Sequence, residues 1–257
     1  MTERGQSMAT MRAGSGRLLA LGAVLFGGFL ILSASDYAAS SSERVEPGRL
    51  RGSVSLGHRL TAHRMRFSLY PDANRGGAGT EPQGDGDELE NVVVYLEQAP
   101  EGAAPPGRVE GTMRMEQEGL TFKPHVLPVV KGTVVEFPNR DLLFHNVFSL
   151  SKAATFDLGR YPRDGSKSLK FMRPGVIQVF CHIHSDMAGV IVVLDNPFFA
   201  TPDSTGGYVI DGIPPGEYRV VAWHERAKLT TKTIHIEAGQ DAILDFSIPL
   251  TDDARGG

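Results

Sequence analysis

The sequence predicts an all-β protein, and three observations carry that prediction. The 257-residue chain holds 30 glycines and 16 prolines, which punctuate short apolar runs. Those runs alternate in polarity, as in "LRGSVSL", or are briefly continuous, as in "GVIVVL"; both are strand patterns. No stretch sustains the apolar period of about 3.6 residues that a helix needs. The length suits two modest domains or one large one. A net charge of -4 points to neither nucleic acid nor an acidic substrate.

The first 35 residues read as targeting rather than fold. Arg12 and Arg17 precede "LLALGAVLFGGFLIL", which ends at "SASD", the basic, apolar and small-residue order of an export signal. Cleavage after Ser35 is one expectation. Residues 18–35 also approach the roughly 20 residues of a spanning helix, so an uncleaved membrane anchor is the other. Either way the expected location is periplasmic or otherwise extracytoplasmic. The single cysteine, Cys181, cannot form an internal disulfide. An exported free thiol is an oxidation liability that a bound metal would remove.

After a short tether, "SSERVEP", come two strand-like runs, "LRGSVSL" and "HRMRFSLYPD". Residues 72–90 are polar and glycine-rich and read as a flexible loop. "NVVVYLE" is a strand and "APEGAAPPG" a linker. From Val109 follow "VEGTMRMEQ", "LTFKPHVLPVV", "GTVVEFPN", "HNVFSLS", "SKSLKFM", "GVIQVFCHIH" and "GVIVVLDN", short strands at sandwich spacing. The C-terminal part continues with "TPDSTGGYVIDGIPPGEYRVVAWHE", "TTKTIHIEAG" and "AILDFSIPL", with a tight turn at Pro214-Pro215-Gly216. There is no strong internal repeat.

The chemistry lies in "FCHIHSDMAG". Cys181, His184 and Met187 fall three residues apart, on a tight loop between the strands "VIQVF" and "GVIVVL". A fourth ligand, His145, starts another strand after the turn signal "PNRD". Two imidazoles, one thiolate and a weak axial thioether select copper of the blue type, and coordination keeps the thiol ionised. Zinc rarely takes methionine, and its structural sites are richer in cysteine. A dinuclear purple copper centre needs a second cysteine in this loop. A multicopper oxidase flanks its cysteine with two histidines, and Phe180 occupies one of those places.

Residues 109–197 resemble the cupredoxin family, plastocyanin and amicyanin especially. The resemblance rests on "F-x-P", "GTVVEFPN" and "HNVFS", followed by "C-x-x-H-x-x-M". It implies a Greek-key sandwich binding one mononuclear type 1 copper ion through His145, Cys181, His184 and Met187. It further implies that Asn146 ties the two ligand segments together and that Asn139 supports the turn before His145.

The remaining histidines fit simpler roles. His182 should face away from Cys181, toward solvent or another domain. His125 reads as a strand-end residue, His235 as one on a polar strand face, and His58 and His63 as surface residues. His224 stands out because its neighbour Trp223 could anchor a domain contact, although core packing is the favoured reading of the tryptophan. Met113 and Met115 read as packing residues.

"D-x-x-G-x-Y-x-I" followed by "P-P-G-x-Y-x-V", within residues 198–250, resembles the carboxypeptidase regulatory-like module, a small transthyretin-like β-sandwich. That segment is too short for the whole module, and "LRGSVSL" and "NVVVYLE" match its missing opening strands. The expected architecture is therefore a cupredoxin domain, 103–197, inserted into a split second sandwich, 48–97 plus 198–250. The alternative places the two domains in series, with 48–97 as extra strands of the cupredoxin. Residues 103–198 are expected to fold on their own.

The expected function is non-enzymatic: an exported one-electron carrier with unknown redox partner proteins. His184 would be the electron's exit, and Phe144, Ala188 and Pro138 an apolar docking patch around it. The alternative is a copper-binding or delivery protein with no redox cycle.

Overall fold

Strands account for nearly all the regular structure that the computed structural model describes, which comprises residues 46–57, 88–100 and 112–250. The targeting segment, "HRMRFSLYPD", His58 and His63, most of the 72–90 loop and the linker from residue 101 lie outside the described residues. Among the described residues no helix is long and apolar enough to cross a membrane. The all-β class is observed, and the strands form two sandwiches.

The strands, in chain order, are β1 (Gly48–Leu56), β2 (Val93–Leu96), β3 (Met113–Arg114), β4 (Glu116–Glu118), β5 (Thr121–Lys123) and β6 (Val126–Val130). Next come β7 (Val134–Pro138), β8 (His145–Ser151), β9 (Ala154–Tyr161), β10 (Ser166–Lys170), β11 (Gly175–Phe180) and β12 (Ala188–Leu194). The last are β13 (Phe199–Ala200), β14 (Gly207–Ile213), β15 (Gly216–Trp223), β16 (Thr230–Ile236), β17 (Asp241–Ile243) and β18 (Phe246–Ile248).

The first sandwich uses β3 to β12. Its larger sheet runs β6-β12-β11-β8-β9 and its smaller one β10-β7-β3, with β4 and β5 forming a hairpin. β8 and β11 are neighbours because the chain crosses to the smaller sheet as β10 and returns, a Greek-key path. Met115, Phe137, Phe171, Ile177 and Ile191 fill the space between the sheets, together with Cys181 and Met187. Met115 packs as expected, whereas Met113 is 38% exposed.

The second sandwich joins the two ends of the described chain. β1 pairs antiparallel with β14 and, along its other edge, parallel with β17 and then β18. The facing sheet runs β13-β2-β15-β16. Neither β1 nor β2 pairs with a strand from residues 112–197. Leu50, Val94, Leu96, Ile210, Val220 and Phe246 form the core. β1 passes the break between β17 and β18 at Gly52, where an added Cβ would lie 1.9 Å from the Leu244 carbonyl oxygen. There Asp245 Oδ1 accepts hydrogen bonds from the Ser53 amide and hydroxyl, at 2.7 and 2.8 Å.

The sandwiches share a third apolar cluster. Val126, Val190, Val192 and Leu194 of the first pack with Val93 and Trp223 of the second. β12 is therefore buried on both faces, with Ile191 and Val193 turned to the first core and Val190, Val192 and Leu194 to the junction. A strand buried on both faces has no polar side, and "GVIVVL" reads that way. Trp223 thus serves the contact between sandwiches rather than the core of one. The fragment 103–198 would bare Val126, Val190, Val192 and Leu194, which Val93 and Trp223 meet in the full chain.

The junction should be energetically substantial. Trp223 is 6% exposed, and truncating a buried tryptophan costs about 3–5 kcal/mol. Trp223→Ala should lower the stability of the whole chain by that amount in urea unfolding. A loss below about 1 kcal/mol would mean that the tryptophan contributes little packing.

Candidate metal centre

The site sits at one end of the first sandwich, where the start of β8 meets the loop from β11 to β12. The β7–β8 turn delivers His145. Asn139, fully buried, shapes this turn: its Nδ2 donates to the carbonyls of Leu143 (2.8 Å) and Tyr161 (3.2 Å), and its Oδ1 accepts from the Asp141 amide at 2.9 Å. Its expected supporting role has these bonds as its physical content.

The second ligand segment closes on itself. The Cys181 amide donates to the Met187 carbonyl at 3.2 Å, and the Met187 amide donates to that of His184 at 3.1 Å. Cys181 and Met187, 5% and 0% exposed, belong to the first core, while His184 is half-buried. The Asn146 side chain joins the two segments, its Oδ1 accepting from the His182 amide at 2.8 Å.

Three of the four expected ligands converge. Cys181 Sγ lies 3.9 Å from His145 Nδ1 and 3.8 Å from His184 Nδ1, and the two nitrogens are 3.1 Å apart. Metal–ligand bonds of about 2.0 Å to nitrogen and 2.3 Å to sulfur would place such donors about 3.3–3.8 Å apart. The triangle therefore has the size of a three-ligand metal site, and all of its donor atoms lie within 4.8 Å of one another. Met187 is on the same closed loop, in the same buried cluster as Cys181.

Asp141 is a partner that the sequence did not reveal. Its Oδ2 lies 2.9 Å from Nε2 of the fully buried His145. With that nitrogen engaged by a carboxylate, Nδ1 is left to face Cys181 and His184. The same carboxylate accepts from the amides of Gly119 (2.8 Å) and Leu120 (3.0 Å). Those two residues form the β4–β5 turn and have φ of 65° and 61°, the type I′ combination. Partial burial works to raise the Asp141 carboxyl, but the two amides and His145 outweigh it and hold it below the usual carboxylate range.

Tyr161 lies opposite His145 in the β8–β9 ladder. Its hydroxyl donates to the Phe137 carbonyl at 2.8 Å and accepts from Gln117 Nε2 at 2.6 Å. Burial pushes this phenol well above its ordinary range, so it stays protonated beside the thiol.

The rim differs from the expected patch. Phe144 is 57% exposed, but Pro138 is buried and Ala188 half-buried. The exposed apolar residues are Leu142, Leu143, Phe144 and Ile183. Pro138 ends β7, where it pairs with Ser166 of β10.

Among the described residues, four further histidines lie outside the triangle. His182 is exposed, stacked on Phe148 with ring centroids 3.7 Å apart. His235 is exposed on β16. His125 meets Glu225 at 2.9 Å, and buried His224 meets Glu88 at 3.2 Å.

No protein-family model matches the sequence, and no curated protein matches it. Among solved structures, a reduced variant of amicyanin is 21% identical over 39% of this chain and 98% of its own, with a TM-score of 0.31. A Cu(I) form of another amicyanin variant is 20% identical over the same shares, also with a TM-score of 0.31. A purple cupredoxin from Nitrosopumilus maritimus is 19% identical over 33% of this chain and 100% of its own, with a TM-score of 0.30.

Proposed function

We propose that this chain is an extracytoplasmic mononuclear copper protein of the cupredoxin kind that carries single electrons between protein partners. The observation that carries the reading is the triangle of Cys181 Sγ, His145 Nδ1 and His184 Nδ1, all within 4.8 Å at the buried end of a sandwich. One soft thiolate and two imidazoles suit copper in both oxidation states. Copper bound there would supply the one-electron change, and no bond to a substrate need form.

The chain's own residues do the rest. Cys181 provides the thiolate, and His145, oriented by Asp141, provides one nitrogen from inside the core. His184, half-buried and next in the chain to exposed Ile183, provides the other and gives the electron its route to a partner. Met187 would hold the copper as a further, weaker ligand through its thioether. Asn139, Asn146 and Asp141 hold these groups before metal arrives, which limits their movement when the charge changes.

The cupredoxin domain, 103–197, is inserted into a regulatory-like sandwich made of 48–97 and 198–250, and the pairing of β1 and β2 with C-terminal strands supports that division. The second sandwich covers the outer face of β12, the strand that leaves the metal loop. Residues 1–35 would export the chain or anchor it.

Titration of the purified protein with Cu(II) should give an intense visible thiolate-to-metal band that saturates at one equivalent and bleaches reversibly with a one-electron reductant. A delivery protein with no redox cycle would release Cu(I) to a chelator within seconds and lack reversible bleaching. Cys181→Ser should abolish the band, because it arises from thiolate and not from imidazole. An intense band retained by the serine variant would contradict the site.

Met187→Gln should retain copper and colour and lower the reduction potential, because a harder oxygen ligand favours Cu(II). Voltammetry checks this, and a potential equal to that of the parent would remove Met187 from the ligand set.

A further inference from the structure

Asp157 lies on β9, outside the ligand set, with its side chain 56% exposed. The register between β8 and β9 shifts beside it: Asn146 faces Arg160, but Phe148 faces Asp157. β9 therefore bulges at Leu158 and Gly159. Gly159 has φ of 68°, a conformation that glycine adopts without strain. The Gly159 amide donates to Asp157 Oδ1 at 2.8 Å and fixes that oxygen in place.

The same oxygen accepts from Asn146 Nδ2 at 2.8 Å. Asn146 is 1% exposed, so its amide has few alternatives. The other end of that amide, Oδ1, accepts from the His182 N–H at 2.8 Å, and this peptide unit is bonded directly to Cys181. An ionised carboxylate only accepts hydrogen bonds. It thus requires the NH2 end of Asn146 to face β9 and leaves the oxygen end for His182. A reversed amide would set oxygen against oxygen on one side and N–H against N–H on the other.

The His182 ring is held from the same quarter. It lies flat on Phe148, with an interplanar angle of 9°, and its Nε2 is 3.7 Å from Asp157 Oδ2.

We propose that Asp157 is a positioning residue for the thiolate: it sets the orientation of Asn146, and through it the backbone that follows Cys181. This goes beyond the ligand set and rests on the reading of Cys181 as a metal ligand. The bulge at Gly159 is the local device that aims the carboxylate at Asn146.

The test uses the full chain in two states. In metal-free protein, hydrogen exchange of the His182 amide is followed by NMR. Loss of a net hydrogen bond should make exchange about five- to tenfold faster in Asp157→Ala. Asp157→Asn should stay within about twofold of the parent, because the Gly159 amide still holds the side-chain oxygen toward Asn146. Asn146→Ala should match Asp157→Ala, and the double variant should exchange no faster than Asn146→Ala alone. In copper-loaded protein, the thiolate band should move in Asp157→Ala and return in Asp157→Asn. An unchanged His182 exchange rate in Asp157→Ala, or additive effects in the double variant, overturns the proposal whatever the copper result. A parent protein that shows no thiolate band with Cu(II) defeats the copper reading instead, while the exchange rates still decide whether Asp157 positions the backbone after Cys181.

Discussion

Everything at the functional end of this protein depends on forcing a thiol and two imidazole nitrogens into one small, largely dry space. Cys181 Sγ, His145 Nδ1 and His184 Nδ1 stand 3.1–3.9 Å apart. Electron-rich donors so close repel one another unless a proton or a cation lies between them. The chain sustains this arrangement by holding the backbone on both sides of it. Asn139 braces the turn before His145, Asn146 clasps the amide after Cys181, and Asp141 occupies the far nitrogen of His145. Each is a hydrogen bond from a side chain with little freedom to leave.

The second constraint is β12. It begins at the metal loop, and its residues alternate between the first core and the junction with the second sandwich. Burial of one face already fixes a strand's register, because a one-residue slip would turn every apolar side chain to the wrong side. A strand packed on both faces has one position, and the loop that ends on it inherits that position. The second sandwich therefore has a physical consequence at the site although it contributes no ligand. Val93 and Trp223 press on the outer face of the sheet whose inner face carries Ile191 and Val193.

The convergence of His145, Cys181 and His184 was legible in the sequence because most of its spacing is local. Cys181, His184 and Met187 share one loop, and His145 follows a plain turn signal. The all-β class was legible from punctuated apolar runs. What stayed hidden depends on contacts between distant segments. Asp141 reads as an ordinary turn residue until the β4–β5 turn brings the amides of Gly119 and Leu120 to it. Nothing in the sequence singles out Asp157, which the bulge at Gly159 places against Asn146. Pro138, expected in the apolar patch around His184, is buried at the end of β7. Trp223 seemed a core residue because one sequence cannot show that two sandwiches share a face.

The most direct test of the central claim is X-ray absorption at the copper edge of the loaded protein, which identifies the atoms bonded to the metal. One short sulfur bond and two nitrogen bonds are expected for each copper, with the short sulfur bond missing when Cys181 is replaced by serine. A copper surrounded only by nitrogen and oxygen in the parent protein would contradict it, because the three converging atoms would then not be the metal's ligands.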